Sequence, residues 1–161
     1  MMYQYIPEIL LWLFVINHGI AFGAGLYEQR IIHPQWFSRS SESSIRVNSA
    51  AIRATDTGRR FWAFVTTIPL TLLTLANLVV AWQSQEPRRE WWLGAVVITL
   101  VERIATFSYF IPTIIRLMHA EVLAPAKAEA MASQWIALNH VRTAFALTGW
   151  LVALKALSLP E

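Results

Sequence analysis

The stretch Trp91–Met118, WWLGAVVITLVERIATFSYFIPTIIRLM, is largely apolar, yet Glu102 and Arg103 stand side by side near its middle. A helix rises about 1.5 Å per residue and bilayer hydrocarbon is roughly 30 Å thick, so about 20 such residues cross a membrane. An ionisable group at that depth costs about 2.5–3.5 kcal/mol on insertion scales unless it pairs or faces a wet cavity. The stretch reads as a membrane span that carries a functional pair.

Three further apolar stretches lie around it, from about Pro7 to Tyr27, Phe61 to Trp82 and Met131 to Leu157. The 161 residues are 56% hydrophobic, and mean hydropathy is +0.45. A soluble bundle would show a polar face on each helix, whereas Ile9 to Ile16 and Leu70 to Val80 are apolar nearly all round. The expected fold is all-α: an integral membrane four-helix up-down bundle forming one four-span domain over residues 1–161, with a long basic cytoplasmic loop between its first two helices. Met1 to Pro7 lacks Lys and Arg, so the first span is expected to be retained and not to act as a signal peptide.

The formal net charge of +3 comes from basic residues crowded beside spans. Anionic lipid headgroups account for that placement, and no nucleic-acid partner is expected. Arg30, Arg39, Arg46, Arg53, Arg59 and Arg60 lie between the first two spans, and Arg116 and Lys127 in the third connection. The second connection holds only Arg88 and Arg89. The positive-inside rule then puts loops 1 and 3 in the cytoplasm and both termini outside, in a bacterial inner membrane. Four of the arginines, 39, 46, 53 and 60, recur every seven residues. A helix over Ile45 to Thr55 would align them along one stripe on the inner leaflet; the plainer reading is a solvated loop, with Ser38 to Ser44 as its polar middle.

Trp82, Trp91 and Trp92 flank the short second connection, and Trp62 and Trp135 lie toward the opposite ends of their spans, as interfacial belts would. Asp56 or Thr57, Pro87 and Pro125 are positioned to start the later helices. Gly19 with Gly23, and Ala21 with Gly25, allow close helix approach or leave room for a flat ligand. Pro69 and Pro112 free helical carbonyls for other donors. The absence of cysteine excludes disulfides, thiolate metal sites, haem thioethers and dithiol redox chemistry.

Glu102, Thr106, Tyr109 and Thr113 share one face of the third span, with Arg103 bordering it; Trp135, Asn139 and Arg142 share a face of the fourth, with His140 about one step round. The first span adds Asn17 and His18, with Glu28 at its inner end. Lipid offers these groups no hydrogen bonds, so they are expected to converge on a polar cavity opening toward the cytoplasm. Simple Glu102–Arg pairing that pins helix packing is the alternative. His18, Glu102 and His140 have the composition of a two-histidine, one-carboxylate iron site but no local ligand spacing, and a haem held by His18 and His140 is the other metal option. His33 and His119 read as interfacial surface residues.

The runs GIAFGAGLYEQRIIHP (Gly19 to Pro34), TLVERIATFSYFIPTIIRLM (Thr99 to Met118) and QWIALNHVR (Gln134 to Arg142) resemble the anthrone oxygenase-like membrane family over nearly the whole chain. The resemblance implies a four-span protein. Some members act in polyketide pathways, oxidising an anthrone to an anthraquinone with molecular oxygen and without a recognised metal or flavin. No cofactor is therefore expected, and the substrate is expected to be a lipophilic aromatic of anthrone or quinol type.

An oxygenase without a cofactor must make its substrate the reductant, which requires a base and a cation. His140 is the candidate base, because imidazole titrates near neutral pH, with Glu102 as rival or orienting partner. Arg142 and Arg103 are expected to stabilise an enolate oxygen. Trp135, Tyr109 and Phe110 offer stacking surfaces; Asn139, Thr106, His18 and Asn17 offer polar contacts. The competing functions are a quinone-, lipid- or haem-binding or transport module, and a structural subunit of a membrane complex or homo-oligomer.

Overall fold

The computed structural model describes residues 5–39 and 44–160. Residues 1–4, the middle of the Ser38 to Ser44 stretch (40–43) and residue 161 lie outside the described part. In order, the elements are α1 (Ile6–Trp36), β1 (Phe37–Arg39), β2 (Ile45–Val47), α2 (Ser49–Thr55), α3 (Gly58–Gln83), α4 (Arg88–Leu117), a 3-10 turn (Ala120–Val122) and α5 (Pro125–Leu157). Helices α1, α3 and α4 are each long and apolar enough to cross a membrane. Their exposed faces carry Trp12, Ile16, Phe64, Leu72, Leu75, Val97, Val101 and Ile104, an exterior suited to lipid and costly in water. The 33-residue α5 packs along α1 and α4 and also exposes Val141, Phe145, Leu151 and Leu154.

Pairings along the long helices make neighbours antiparallel. Near the Gln83 to Arg88 connection, the Asn77 amide of α3 donates to the Leu10 carbonyl of α1 at 3.2 Å, and its oxygen accepts from Trp92 Nε1 of α4 at 2.9 Å. At the opposite end, Glu28 of α1 meets Thr57 and Trp62 of the α3 start. Helix α5 runs against α1 through Gly19 beside Trp150 and Gln29 bonded to Thr143. An ideal Cβ on Gly19 would lie 3.1 Å from the Trp150 indole, whereas one on Gly23 would meet nothing within 4 Å. Only Gly19 of that pair packs tightly.

Two apolar clusters bracket a polar middle. Leu11, Phe14, Val15, Leu70, Trp92, Val96 and Ala153 close the end beside the 83–88 connection. Trp36, Phe37, Ile52, Phe110, Leu117, Ala132 and Trp135 close the end beside the 37–57 connection. Trp92 and Trp135 are thus core residues, not interfacial ones, while Trp82 and Trp91 are exposed.

The 37–57 connection is shorter and more structured than the sequence pattern implies. Helix α1 continues past Tyr27 to Trp36, and an antiparallel hairpin pairs Phe37 with Val47 and Arg39 with Ile45. Arg39 and Arg46 lie on its strands, Arg53 on α2 and Arg60 on α3. A strand alternates sides at every residue, so the heptad arginines form no helical stripe.

Three helical segments widen to i→i+5 hydrogen bonding: Glu28–Ile32, Gly58–Thr67 and Thr106–Phe110. Each ends two residues before a proline, namely Pro34, Pro69 and Pro112. A proline inside a helix lacks the N–H and crowds the carbonyl four residues back, and a wider preceding turn relieves that contact. The closing bonds run from His33 to Glu28, Ile68 to Ala63 and Ile111 to Thr106. Such wide turns concentrate at functional sites.

Candidate functional site

All three wide turns contribute to one cavity of about 410 Å³, lined from the four long helices and from Ile52 of α2. That volume lies within the roughly 300–1,000 Å³ typical of small-molecule sites. Of the residues that line it, Gly58, Arg59, Ile115, His119 and Phe145 are exposed.

Glu102 and Arg103 are buried on the cavity wall. Neighbouring helical residues ordinarily diverge by about 100°, from 3.6 residues per turn. Here the Arg103 side chain turns back, and its Nε donates to Glu102 Oε2 at 2.6 Å, with Nη2 donating to the same oxygen. Thr106 Oγ1, one turn on, donates to Glu102 Oε1 at 3.1 Å. Arg103 Nη1 remains buried without a hydrogen-bond partner among the described residues. A buried donor left unfilled costs about 1–3 kcal/mol, so the atom marks where a ligand acceptor gains most.

Arg142 reaches the same cavity from α5, its guanidinium 4.6 Å from the centroid of the Phe110 ring. Among the described residues it makes no ion pair. His18 lines the wall, but both ring nitrogens are engaged: Nδ1 with the Phe14 carbonyl and Nε2 with Thr99 Oγ1, each at 2.9 Å. A carbonyl only accepts, so Nδ1 carries the proton toward Phe14. Trp135 donates through Nε1 to the Phe110 carbonyl at 3.3 Å, and its ring meets His33 and Phe37.

Of the residues expected from the sequence, the cavity gathers Glu102, Arg103, Arg142, Thr106, Trp135, Phe110 and His18. It does not gather His140, which is exposed. His140 lies about 100° round α5 from Asn139, which turns it off the face shared by Trp135, Asn139 and Arg142. The three groups weighed as iron ligands therefore do not converge, and His140, weighed as the haem partner of His18, lies off the cavity. Asn139 is buried outside the lining, its Oδ1 without a partner among the described residues. Tyr109 stands edge-on to Phe110 at 5.3 Å, beside the cavity and not in it. Asn17 donates to the Val65 carbonyl at 2.9 Å and serves helix packing.

The cavity also holds a second carboxylate, one that sequence reading placed at the inner end of the first span without giving it a role. Glu28 is buried on the first wide turn, and its Oε1 accepts from Thr57 Oγ1 at 2.5 Å and Trp62 Nε1 at 2.9 Å. His33 Nε2 lies 3.9 Å from Glu28 Oε2. His33 is buried against Trp36, Phe37 and Trp135, so it is not a surface residue. In an ordinary α-helix residues five apart point about 140° away from each other. The wide turn brings them together, and Pro34 was its signal.

The sequence model of a family described as Anthrone oxygenase matches residues 58–152. No curated protein and no solved structure matches the chain. The matched segment spans more than half of the 161 residues and includes Glu102, Arg103, Thr106, Trp135 and Arg142, and the chain belongs to the anthrone oxygenase family.

Proposed function

We propose that this is a membrane-embedded oxygenase that oxidises a lipophilic aromatic substrate of anthrone or quinol type, using the substrate's own carbanion as reductant and no cofactor. The observation that carries the reading is the buried Glu102–Arg103 pair on the wall of a 410 Å³ cavity, with Arg103 Nη1 unfilled. Helix α5 acts as a fourth span in this reading, supported by its length and apolar exterior. The end bearing residues 37–57 faces the cytoplasm. The connection at the opposite end carries Arg88 and Arg89, against Arg39, Arg46, Arg53, Arg59, Arg60, Arg116 and Lys127 at this one, and such an excess of Lys and Arg favours the cytoplasmic side. Membrane lipids surround the helices, and the substrate arrives from them past the exposed apolar lining residues Ile115 and Phe145.

Glu102 takes the role of base first considered for His140. Its carboxylate removes one proton from the acidic methylene of the substrate, and the enolate oxygen settles on Arg103 Nη1 with Arg142 beside it. Fixed donors in a dry pocket favour developing negative charge more than water does. The delocalised anion passes one electron to dioxygen, the two radicals combine into a new C–O bond, and the peroxide takes a proton. Phe110 and Trp135 hold the ring plane. Across the whole reaction a CH2 and O2 become C=O and H2O.

The test is detergent-purified protein with an anthrone under air, reading oxygen uptake and quinone absorbance above buffer. Glu102→Gln is expected to lower turnover by about 10²-fold or more. Turnover unchanged in Glu102→Gln, or an anthrone that neither binds nor reacts with the wild type, overturns the reading. Glu102 and Arg103 also neutralise each other, which suits a binding module; an anthrone bound but unaltered would select that instead.

A further inference from the structure

Conversion of a CH2 to a C=O removes two protons from one carbon, and Glu102 accounts only for the first. Once oxygen is attached, the remaining C–H points away from the new C–O bond. Oxygen that enters on the Glu102 side leaves that hydrogen facing the opposite wall. A second base there must be anionic, buried, within the same cavity and on another helix.

Glu28 meets each condition. It lines the cavity from α1, whereas Glu102 lines it from α4. Thr57 and Trp62 both donate to Oε1, which favours the carboxylate form. Among the described residues Oε2 accepts no hydrogen bond, so one oxygen remains available to a proton. Among the described residues the basic side chain paired with it is His33, whose buried Nε2 stands 3.9 Å away. The wide turn ahead of Pro34 keeps these two groups adjacent. Nothing in the first deprotonation uses this arrangement.

We infer that Glu28 is a second catalytic base, which removes the remaining C–H proton from the substrate hydroperoxide. The inference rests on the oxygenase reading above. In this step the C–H electron pair becomes the second bond of the C=O, the O–O bond breaks, and hydroxide leaves. Hydroxide then takes the proton from the Glu28 carboxyl, giving water and restoring the carboxylate. His33, with no other polar partner at Nε2, steadies Oε2 between turnovers.

The experiment compares wild type, Glu28→Gln and Glu102→Gln as full chains in detergent with an anthrone. Two rates are read: anaerobic exchange of the methylene hydrogens with D2O, and quinone formation under air, with mass spectrometry of the organic products. Glu28→Gln is expected to keep wild-type exchange, to form quinone about 10²-fold more slowly, and to accumulate a species heavier than the substrate by one O2. Glu102→Gln is expected to lose exchange. Quinone formation at the wild-type rate in Glu28→Gln overturns the role of Glu28 and leaves the oxygenase reading standing, as does loss of exchange in that variant. A wild type that neither exchanges nor oxidises overturns both. Glu28→Asp, which shortens the reach by one methylene and keeps the charge, guards against misfolding: intermediate quinone formation supports the role, and a rate equal to Glu28→Gln with native melting counts against it.

Discussion

The side-chain amide of Asn17 on α1 donates to the Val65 carbonyl on α3, four residues before Pro69, where an α-helical residue with an N–H would donate. The contact joins the turn before a proline on one helix to a buried polar residue on another. Asn17→Leu is expected to lower unfolding stability by about 1–3 kcal/mol, the cost of a buried acceptor left unfilled. Pro69→Ala restores an N–H beneath the same carbonyl, so the loss from Asn17→Leu should shrink in that background. Thermal unfolding of the four proteins in one detergent measures the coupling, and strictly additive losses would remove the assigned link.

His140→Ala is expected to leave anthrone turnover at the wild-type level. The side chain is exposed and does not line the cavity, so its removal changes neither the base nor the field around it. A marked fall in turnover with unchanged melting would return His140 to the mechanism.

Arg142→Met should behave differently. The methionine keeps apolar contact with Phe110 but removes a guanidinium that faces the cavity without an ion pair. Loss of one donor to a developing oxyanion lowers turnover by about 10²–10³-fold. Arg142→Lys is expected to recover only part of this, because a point charge lacks the planar stack on the ring. Full recovery by lysine would mean that charge alone matters at this position.

How far these features were legible depended on the length scale of each signal. Long apolar runs specify helices, and the spacing of Trp135, Asn139 and Arg142 put them on one face of α5. That same period places His140 off the face, yet its suitable titration range outweighed its position. Glu28 was named at the inner end of the first span but given no role, because counting residues to bilayer thickness stopped that helix at Tyr27, while the chain continues it through a wide turn to Trp36. The hairpin strands are three residues each, too short for alternation to be read against a seven-residue arginine repeat. The wide turns had a sequence signal in Pro34, Pro69 and Pro112, but a proline shows where a helix must adjust, not which side chains the adjustment brings together.

Acid should loosen the cover of the cavity from the side of α2. Glu121, in the 3-10 turn after α4, pairs with Arg53 of α2 at 2.7 Å, and the neighbouring Ile52 lines the cavity. The Glu121 carboxyl is held below its ordinary value of 4.5, first by a hydrogen bond from its own backbone N–H, then by the Ser49 hydroxyl and Arg53. A carboxylate with a depressed folded pKa contributes its full stabilisation above the unfolded pKa and loses it as pH falls through the folded one. Full exposure to solvent keeps the effect small and sensitive to salt. Wild type is therefore expected to melt slightly above Glu121→Gln at neutral pH and low salt, and the gap should narrow once pH drops below about 4.5 and close in stronger acid. A gap that holds constant across that range would mean that the charge of Glu121 does not secure α2.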